Sequence, residues 1–203
     1  MADLTAGKEL LRSGMRQEVE RTRTALERAA AGATVSLVSS GDAGIYGMAG
    51  LAIELAHEMQ LKVAIEIVPG VTAASAAAAR LGAPLMTDFA VISLSDLLIP
   101  WETIRRRLEA LAAADLVVAI YNPRSTKRVR QLEEAVEIFR RHRPAETPVG
   151  IGVAVGTDEE RIAITSLGEV PKQEIDMRTV LIIGNSASRV LDGWLVTARG
   201  YRL

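Results

Sequence analysis

The chain has 203 residues, 49% hydrophobic, 24% charged and 3% aromatic, with 24 Lys and Arg against 25 Asp and Glu. So even a charge balance gives no electrostatic footing for nucleic acid or an anionic membrane, and the absence of cysteine removes disulfides, thiolate nucleophiles and cysteine–zinc sites. No apolar run reaches the ~18 residues that span a bilayer, and Met1 to Lys8 does not read as a secretion signal, so the expectation is a cytoplasmic protein of one large or two small domains with an aliphatic core.

Met15, Val19, Thr22, Leu26 and Ala29 recur at helical spacing and predict a helix over 15–31, stopped by Gly32. Thr34 to Val38 reads as a strand, and Ser39-Ser40-Gly41-Asp42-Ala43-Gly44-Ile45-Tyr46-Gly47 as the loop that leaves it. Glycines at 41, 44 and 47 let backbone approach a ligand closely, or simply make a tight turn. Met48 to Gln60 follows as a helix, and Lys62 to Val68 as a buried strand ended by Pro69-Gly70. Thr72 is the candidate N-cap of an alanine-rich helix to Arg80, which Gly82 stops.

Ala83-Pro84 reads as a linker, Phe89 to Leu94 as a strand, and Pro100 as the start of a helix over Trp101 to Ala113. Asp115 to Tyr121 is a second buried strand, and Arg128 to Arg143 an amphipathic helix. Thr147 to Val155, Arg161 to Ser166 and Val180 to Ile183 are strand-like, and the short loop between the first two predicts a hairpin and a mixed sheet. The expected fold class is α/β with two domains, 1–86 mainly parallel and 87–203 mixed with hairpins, divided near residues 83–88.

His57 and His142, the two imidazoles, sit on expected helices without a partner at ligand spacing, so no metal site is expected. There is no H-E-x-x-H, no G-x-S-x-G and no Walker lysine motif. Gly150-Ile-Gly152-Val-Ala-Val-Gly156 resembles a dinucleotide fingerprint, but it lies along a strand rather than at a strand-to-helix turn. Four polar breaks remain, each at a strand end: 40–44, 69–73, Ser93-Leu94-Ser95-Asp96, and Tyr121-Asn122-Pro123-Arg124-Ser125. Strand ends in one sheet share an edge, where ligands of open α/β sheets bind.

At these breaks the residues resemble a known family. Val38 to Ala49 and Ile67-Val-Pro-Gly-Val-Thr-Ala-Ala-Ser75 are similar to two signatures of the tetrapyrrole methylases, the class III S-adenosylmethionine methyltransferases. Ser13 to Val19, Val91 to Leu98, Tyr121 to Ser125, Ile175-Asp-Met177 and Ile183-Gly-Asn-Ser186 extend the resemblance to nearly the whole chain, toward the branch that methylates C17 of a precorrin-3 type ring in cobalamin biosynthesis. The resemblance implies S-adenosyl-L-methionine as methyl donor, S-adenosyl-L-homocysteine as product, contraction of the tetrapyrrole, a homodimer, and a donor trough between two α/β domains. It implies donor contacts at Gly41, Asp42, Ala43, Gly44, Ile45, Thr72, Ala73, Asn122 and Ala154, and substrate contacts at Ser95, Asp96 and Arg124; no catalytic residue is assigned.

Asp42 could bond the donor or brace its own loop, and Asp96 could face substrate or cap the helix that Pro100 opens. Arg124, Lys127, Arg128 and Arg130 could hold substrate carboxylates or form a solvated helix start, whereas Arg105 to Arg107 and Arg140 to Arg143 are expected on solvent faces. Two departures stand out: Asp42-Ala43 replaces the family's Asp-Pro, and no Gly-x-Gly-Pro-Gly loop precedes Thr34. The second predicts an unpaired sheet edge and impaired activity unless another chain supplies the strand. The alternatives are another tetrapyrrole or RNA methyltransferase of the same fold, a nicotinamide-dependent oxidoreductase, and a non-catalytic dimeric binding module.

Overall fold

A computed structural model of the chain describes residues 5–14, 17–126 and 128–202. The chain divides into two compact units, Met1–Thr72 and Ala73–Leu203, a boundary earlier than the expected 86/87.

The first unit holds α1 (Glu18–Ala30) and α2 (Ala49–Glu58). The Met15 start expected for α1 lies outside the described residues. Its end is built as the glycine predicts: Gly32 takes φ 95°, its N–H donates to the Ala29 carbonyl, and the Ala33 N–H reaches back to Arg28, which together satisfy the last turn. Leu26 of α1 packs with Leu55 and Ala56 of α2, and Leu51, Met59, Leu61 and Val63 close around them. Thr22 is also buried, its hydroxyl donating to the Glu18 carbonyl at 2.7 Å, whereas Val19 of the expected stripe is exposed.

The strands expected at 34–38 and 62–68 are not formed: neither segment carries a β-ladder among the described residues. Val35, Val38, Ile65, Ile67 and Val68 are exposed. Hydrophobic composition supplies strand propensity, but a strand also requires a hydrogen-bonding partner, and propensity alone does not supply one.

The second unit contains α3 (Ala73–Leu81), α4 (Trp101–Ala113) and α5 (Arg130–Arg140). Its main sheet comprises β2 (Phe89–Ser93), β3 (Val117–Tyr121), β4 (Pro148–Val153), β5 (Arg161–Ser166) and β6 (Thr179–Ile183), ordered β2-β3-β6-β4-β5. Strands β2 and β3 are parallel, and β6 is antiparallel to β3 and β4. Hence β2, β3 and β4 all end on the edge where β6 begins. The mixed sheet and the β4–β5 hairpin match expectation.

Side-chain alternation divides the core into two layers, as period-2 strands require. Val118, Ile120, Val149, Ile151, Leu181 and Ile183 join Ile104 and Leu108 of α4 and Phe139 of α5. Val117, Val180 and Ile182 face the other way, with Ala77, Ala78 and Leu81 of α3. Burial on both faces explains why β3 and β6 read as continuous apolar runs. The Gly150–Gly156 pattern has its explanation here. A Cβ at Gly152 would lie 2.9 Å from the Ala77 Cβ, and one at Gly150 would overlap Leu81, so these glycines let α3 lie close on β4.

A second sheet, β1-β8-β7, joins β1 (Gly82–Ala83) to β8 (Trp194–Thr197) and β7 (Ser188–Leu191). The linker expected at Ala83-Pro84 therefore begins inside a short parallel pairing, Gly82 with Leu195 and Ala83 with Val196. Strands β7 and β8 are not among the expected elements. Their sequence signal is Asp192-Gly193, a two-residue hairpin turn with φ 48° and 85°.

Arg143 also departs from expectation. It is buried rather than solvated, stacks 4.9 Å over the Phe139 ring, and donates to the carbonyls of Gly184 at 2.5 Å and Leu116 at 2.7 Å. Arg105, Arg106 and Arg107 are exposed as expected. Among the described residues no helix is long and apolar enough to cross a membrane.

Candidate functional site

In the first unit, the 41–47 loop is tied together by Asp42. One carboxylate oxygen accepts the Gly44 N–H at 2.8 Å and the other the Gly70 N–H at 2.9 Å. These backbone donors, Gly70 foremost, hold the Asp42 carboxyl below the usual aspartate range. Of the two roles left open for Asp42, the observed bonds are those of a brace. Gly70 is required by closeness: a side chain there would overlap the Gly41 carbonyl. Gly41 itself sits at φ 77°, in left-handed space. The Ala43 carbonyl accepts the Ala49 N–H at 3.0 Å, linking the loop to the start of α2. Gly44 and Ile45 remain exposed, and Thr72 is half-buried.

In the second unit, the shared strand edge gathers Ser93 at the end of β2, Ser95 and Asp96 after it, Asn122 after β3, Ala154 after β4, and Met177 and Arg178 before β6. Two of these residues hold a backbone that side-chain-bearing residues avoid, Asn122 at φ 48° and Ala154 at φ 48°. A left-handed conformation costs an L-residue roughly 1–2 kcal/mol, and such strain collects at functional sites. Asn122 donates from Nδ2 to Ser93 Oγ at 3.0 Å, and its carbonyl accepts Arg128 Nη2 at 2.7 Å. The Ala154 N–H donates to the Arg178 carbonyl at 3.0 Å, and its own carbonyl accepts both the N–H and the hydroxyl of Thr157.

Asp96 neither caps α4 nor stands free: it accepts Gln131 Nε2 of α5 at 2.8 Å. Ala73 opens α3, and the next N–H, from Ala74, donates to the Tyr121 hydroxyl at 2.7 Å. Tyr121 thus serves α3 across the fold, a role with no local sequence signal. In the arginine cluster, Arg124 is half-buried and Arg130 exposed, while Arg128 is buried, and Lys127 lies outside the described residues. Neither role left open for Arg128, carboxylate holder or solvated helix start, is what it does: it bonds the backbone of Asn122. His57 is exposed, and His142 lies 3.4 Å from a Glu109 oxygen on the surface.

Residues 2–171 match the tetrapyrrole (corrin/porphyrin) methylases. The chain is 46% identical over 199 residues to a probable cobalt-factor III C(17)-methyltransferase of Salmonella typhimurium, covering 98% of this chain and 83% of that one. It is 48% identical over 183 residues to a precorrin-3B C(17)-methyltransferase of Sinorhizobium sp, covering 89% and 72%. Of the cobalt-factor III methyltransferase of Priestia megaterium, 44% identical over 203 residues, it matches 98% of this chain but spans only 38% of that relative. Among solved structures, the methyltransferase CobJ superposes with a TM-score of 0.89 at 40% identity, over 95% of this chain and 82% of that one. The uroporphyrin-III C-methyl transferase of Thermus thermophilus complexed with S-adenosyl homocysteine shares the fold, with a TM-score of 0.66 at 24% identity over 89% and 78%. With this match across most of its length, the chain belongs to the tetrapyrrole methylases.

Proposed function

We propose that this chain transfers a methyl group from S-adenosylmethionine to C17 of a precorrin-3 type tetrapyrrole, with contraction of the ring, in cobalamin biosynthesis. The observation that carries this reading is identity of more than two residues in five with C17-methylating relatives along nearly the whole chain. The donor carries its methyl on a sulfonium, so transfer to carbon consumes charge rather than creating it. The protein's task is then to hold the reacting atoms in line and exclude water, which can supply several kcal/mol of the barrier.

The residues fit such a donor. The loop from Gly41 to Ile45, braced by Asp42, offers backbone without bulky side chains, and Thr72 follows two residues after Gly70, whose N–H bonds Asp42. Ala73, Asn122 and Ala154 are the donor contacts proposed in the second unit. Ser95, Asp96 and Arg124 are proposed to meet the substrate, whose carboxylates suit a guanidinium. Assembly as a homodimer is part of the same reading.

The test is calorimetric titration with S-adenosylhomocysteine, followed by incubation of the protein and S-adenosylmethionine with precorrin-3B or cobalt-factor III. The expected outcome is binding, then a product heavier by one methyl. Stabilisation by NAD but not by S-adenosylhomocysteine, or no methyl transfer to either ring, would overturn it. Light scattering on an eluting gel-filtration peak checks the dimer.

A further inference from the structure

Arg128 is buried at 7% exposure, yet no carboxylate lies within ion-pair distance of it among the described residues. Removing a guanidinium from water without a counter-charge is costly, and its Nε has no hydrogen-bond partner among the described residues. A surface-facing arginine at a helix start would avoid both costs. The side chain instead turns back over its own loop. Its Nη2 donates to the Asn122 carbonyl at 2.7 Å and lies 3.7 Å from Met177 Sδ, so it joins the end of β3 to the segment before β6.

The backbone supports this arrangement. The Ser125 N–H donates to the Arg128 carbonyl at 3.0 Å, and the Arg128 N–H returns to the Ser125 carbonyl at 3.2 Å and to its hydroxyl at 3.1 Å. Ser125 and Arg128 are thus bonded to each other in both directions, which holds the guanidinium at the carbonyl of a residue in left-handed space. With its carbonyl held by Arg128 and its side chain by Ser93, Asn122 is fixed at both ends.

We propose that Arg128 is a positioning residue for the methyl donor. By clamping the Asn122 carbonyl it maintains the left-handed turn at the end of β3, and donor affinity follows from that turn. The proposal rests on the reading that Asn122 contacts S-adenosylmethionine. It differs from the substrate-carboxylate role that the arginine cluster suggests, because Arg128 is buried and its Nη2 is engaged by the Asn122 carbonyl.

Two measurements test it. The first is titration of wild type, Arg128→Met and Arg128→Lys with S-adenosylhomocysteine, alongside kcat and KM for S-adenosylmethionine. Loss of a charged hydrogen bond predicts about tenfold weaker donor binding in Arg128→Met, appearing in KM more than in kcat. Arg128→Lys, whose ammonium can reach for the same carbonyl, should recover most of it. Equal donor affinity in wild type and Arg128→Met, or Arg128→Lys as weak as Arg128→Met, overturns the proposal.

The second is a double-mutant cycle in urea, with Arg128→Met in the wild-type and Asn122→Gly backgrounds. Glycine adopts the left-handed turn unaided, so the loss in the folding constant caused by Arg128→Met should shrink severalfold there. Strict additivity overturns the clamp whether or not the donor binds. Absence of S-adenosylhomocysteine binding to wild type with a non-additive cycle overturns the donor reading and leaves the clamp standing.

Discussion

Asp42 shows how a conspicuous carboxylate can serve architecture. Its two oxygens close the loop on Gly44 and Gly70. Because those bonds depress its folded pKa, the stabilisation is present in full above the usual aspartate range and fades as pH falls through the lowered value. The melting-temperature gap between wild type and Asp42→Ala should thus be steady near neutrality and close in acid; a gap that widens in acid would refute the brace. Ala154 gives a second test. Relief of left-handed strain, roughly 1–2 kcal/mol, opposes the extra unfolded-state freedom of glycine, roughly 0.5–1 kcal/mol. Ala154→Gly should therefore be neutral or up to about 1.5 kcal/mol more stable in urea, the reverse of what an alanine in ordinary backbone would give. The glycine loop and Asn122 were legible in the sequence as chemical candidates. The roles of Asp42 and Arg128 were not, because each is set by a backbone group that only the folded chain brings near: Gly70, 28 residues from Asp42, and the carbonyl that a left-handed Asn122 turns toward Arg128.

Helix α3 and strand β4 fit together because β4 lacks side chains where the helix lies. Gly152→Ala places a Cβ 2.9 Å from that of Ala77 and 2.8 Å from Val155 Cγ2. Overpacking of this kind costs about 1–3 kcal/mol, measurable as a lower urea midpoint with unchanged slope. Arg143 ties three elements by donating to carbonyls just before β3 and just after β6 from the end of α5. Arg143→Met keeps the bulk over Phe139 but strands two carbonyls, for a loss of about 3 kcal/mol in chemical denaturation. Helix α4 was readable to its ends, Pro100 opening it and apolar periodicity carrying it to Ala113. The strands at 34–38 and 62–68 were misread by the same rules, since hydrophobic runs report burial and propensity but not whether a ladder partner is in reach.

The two units differ in how much they bury. The first holds a cluster of three buried residues, whereas the second has two layers on either side of a five-stranded sheet. Regions with few buried apolar contacts open at lower free energy. Native-state hydrogen exchange should therefore show the amides of α1 and α2 exchanging well before those of β3, β4 and β6. Equal protection across both units would contradict this ordering of stability. Seven exposed Val and Ile side chains at 35–68 belong to the less buried unit, the usual sign of surface that another chain or segment can cover.

Local chemistry written along the chain was enough for the helices, most of the strands of the second unit, the β4–β5 hairpin and the family, because periodicity, glycine stops and motif residues are properties of neighbouring positions. Tertiary structure alone decided the rest: which strands found partners, that β2, β3 and β4 end on one edge, and that Arg128 and Arg143 are buried. Those outcomes depend on backbone groups far apart in sequence. An arginine reads as a surface residue until the fold supplies the carbonyls that let it leave water.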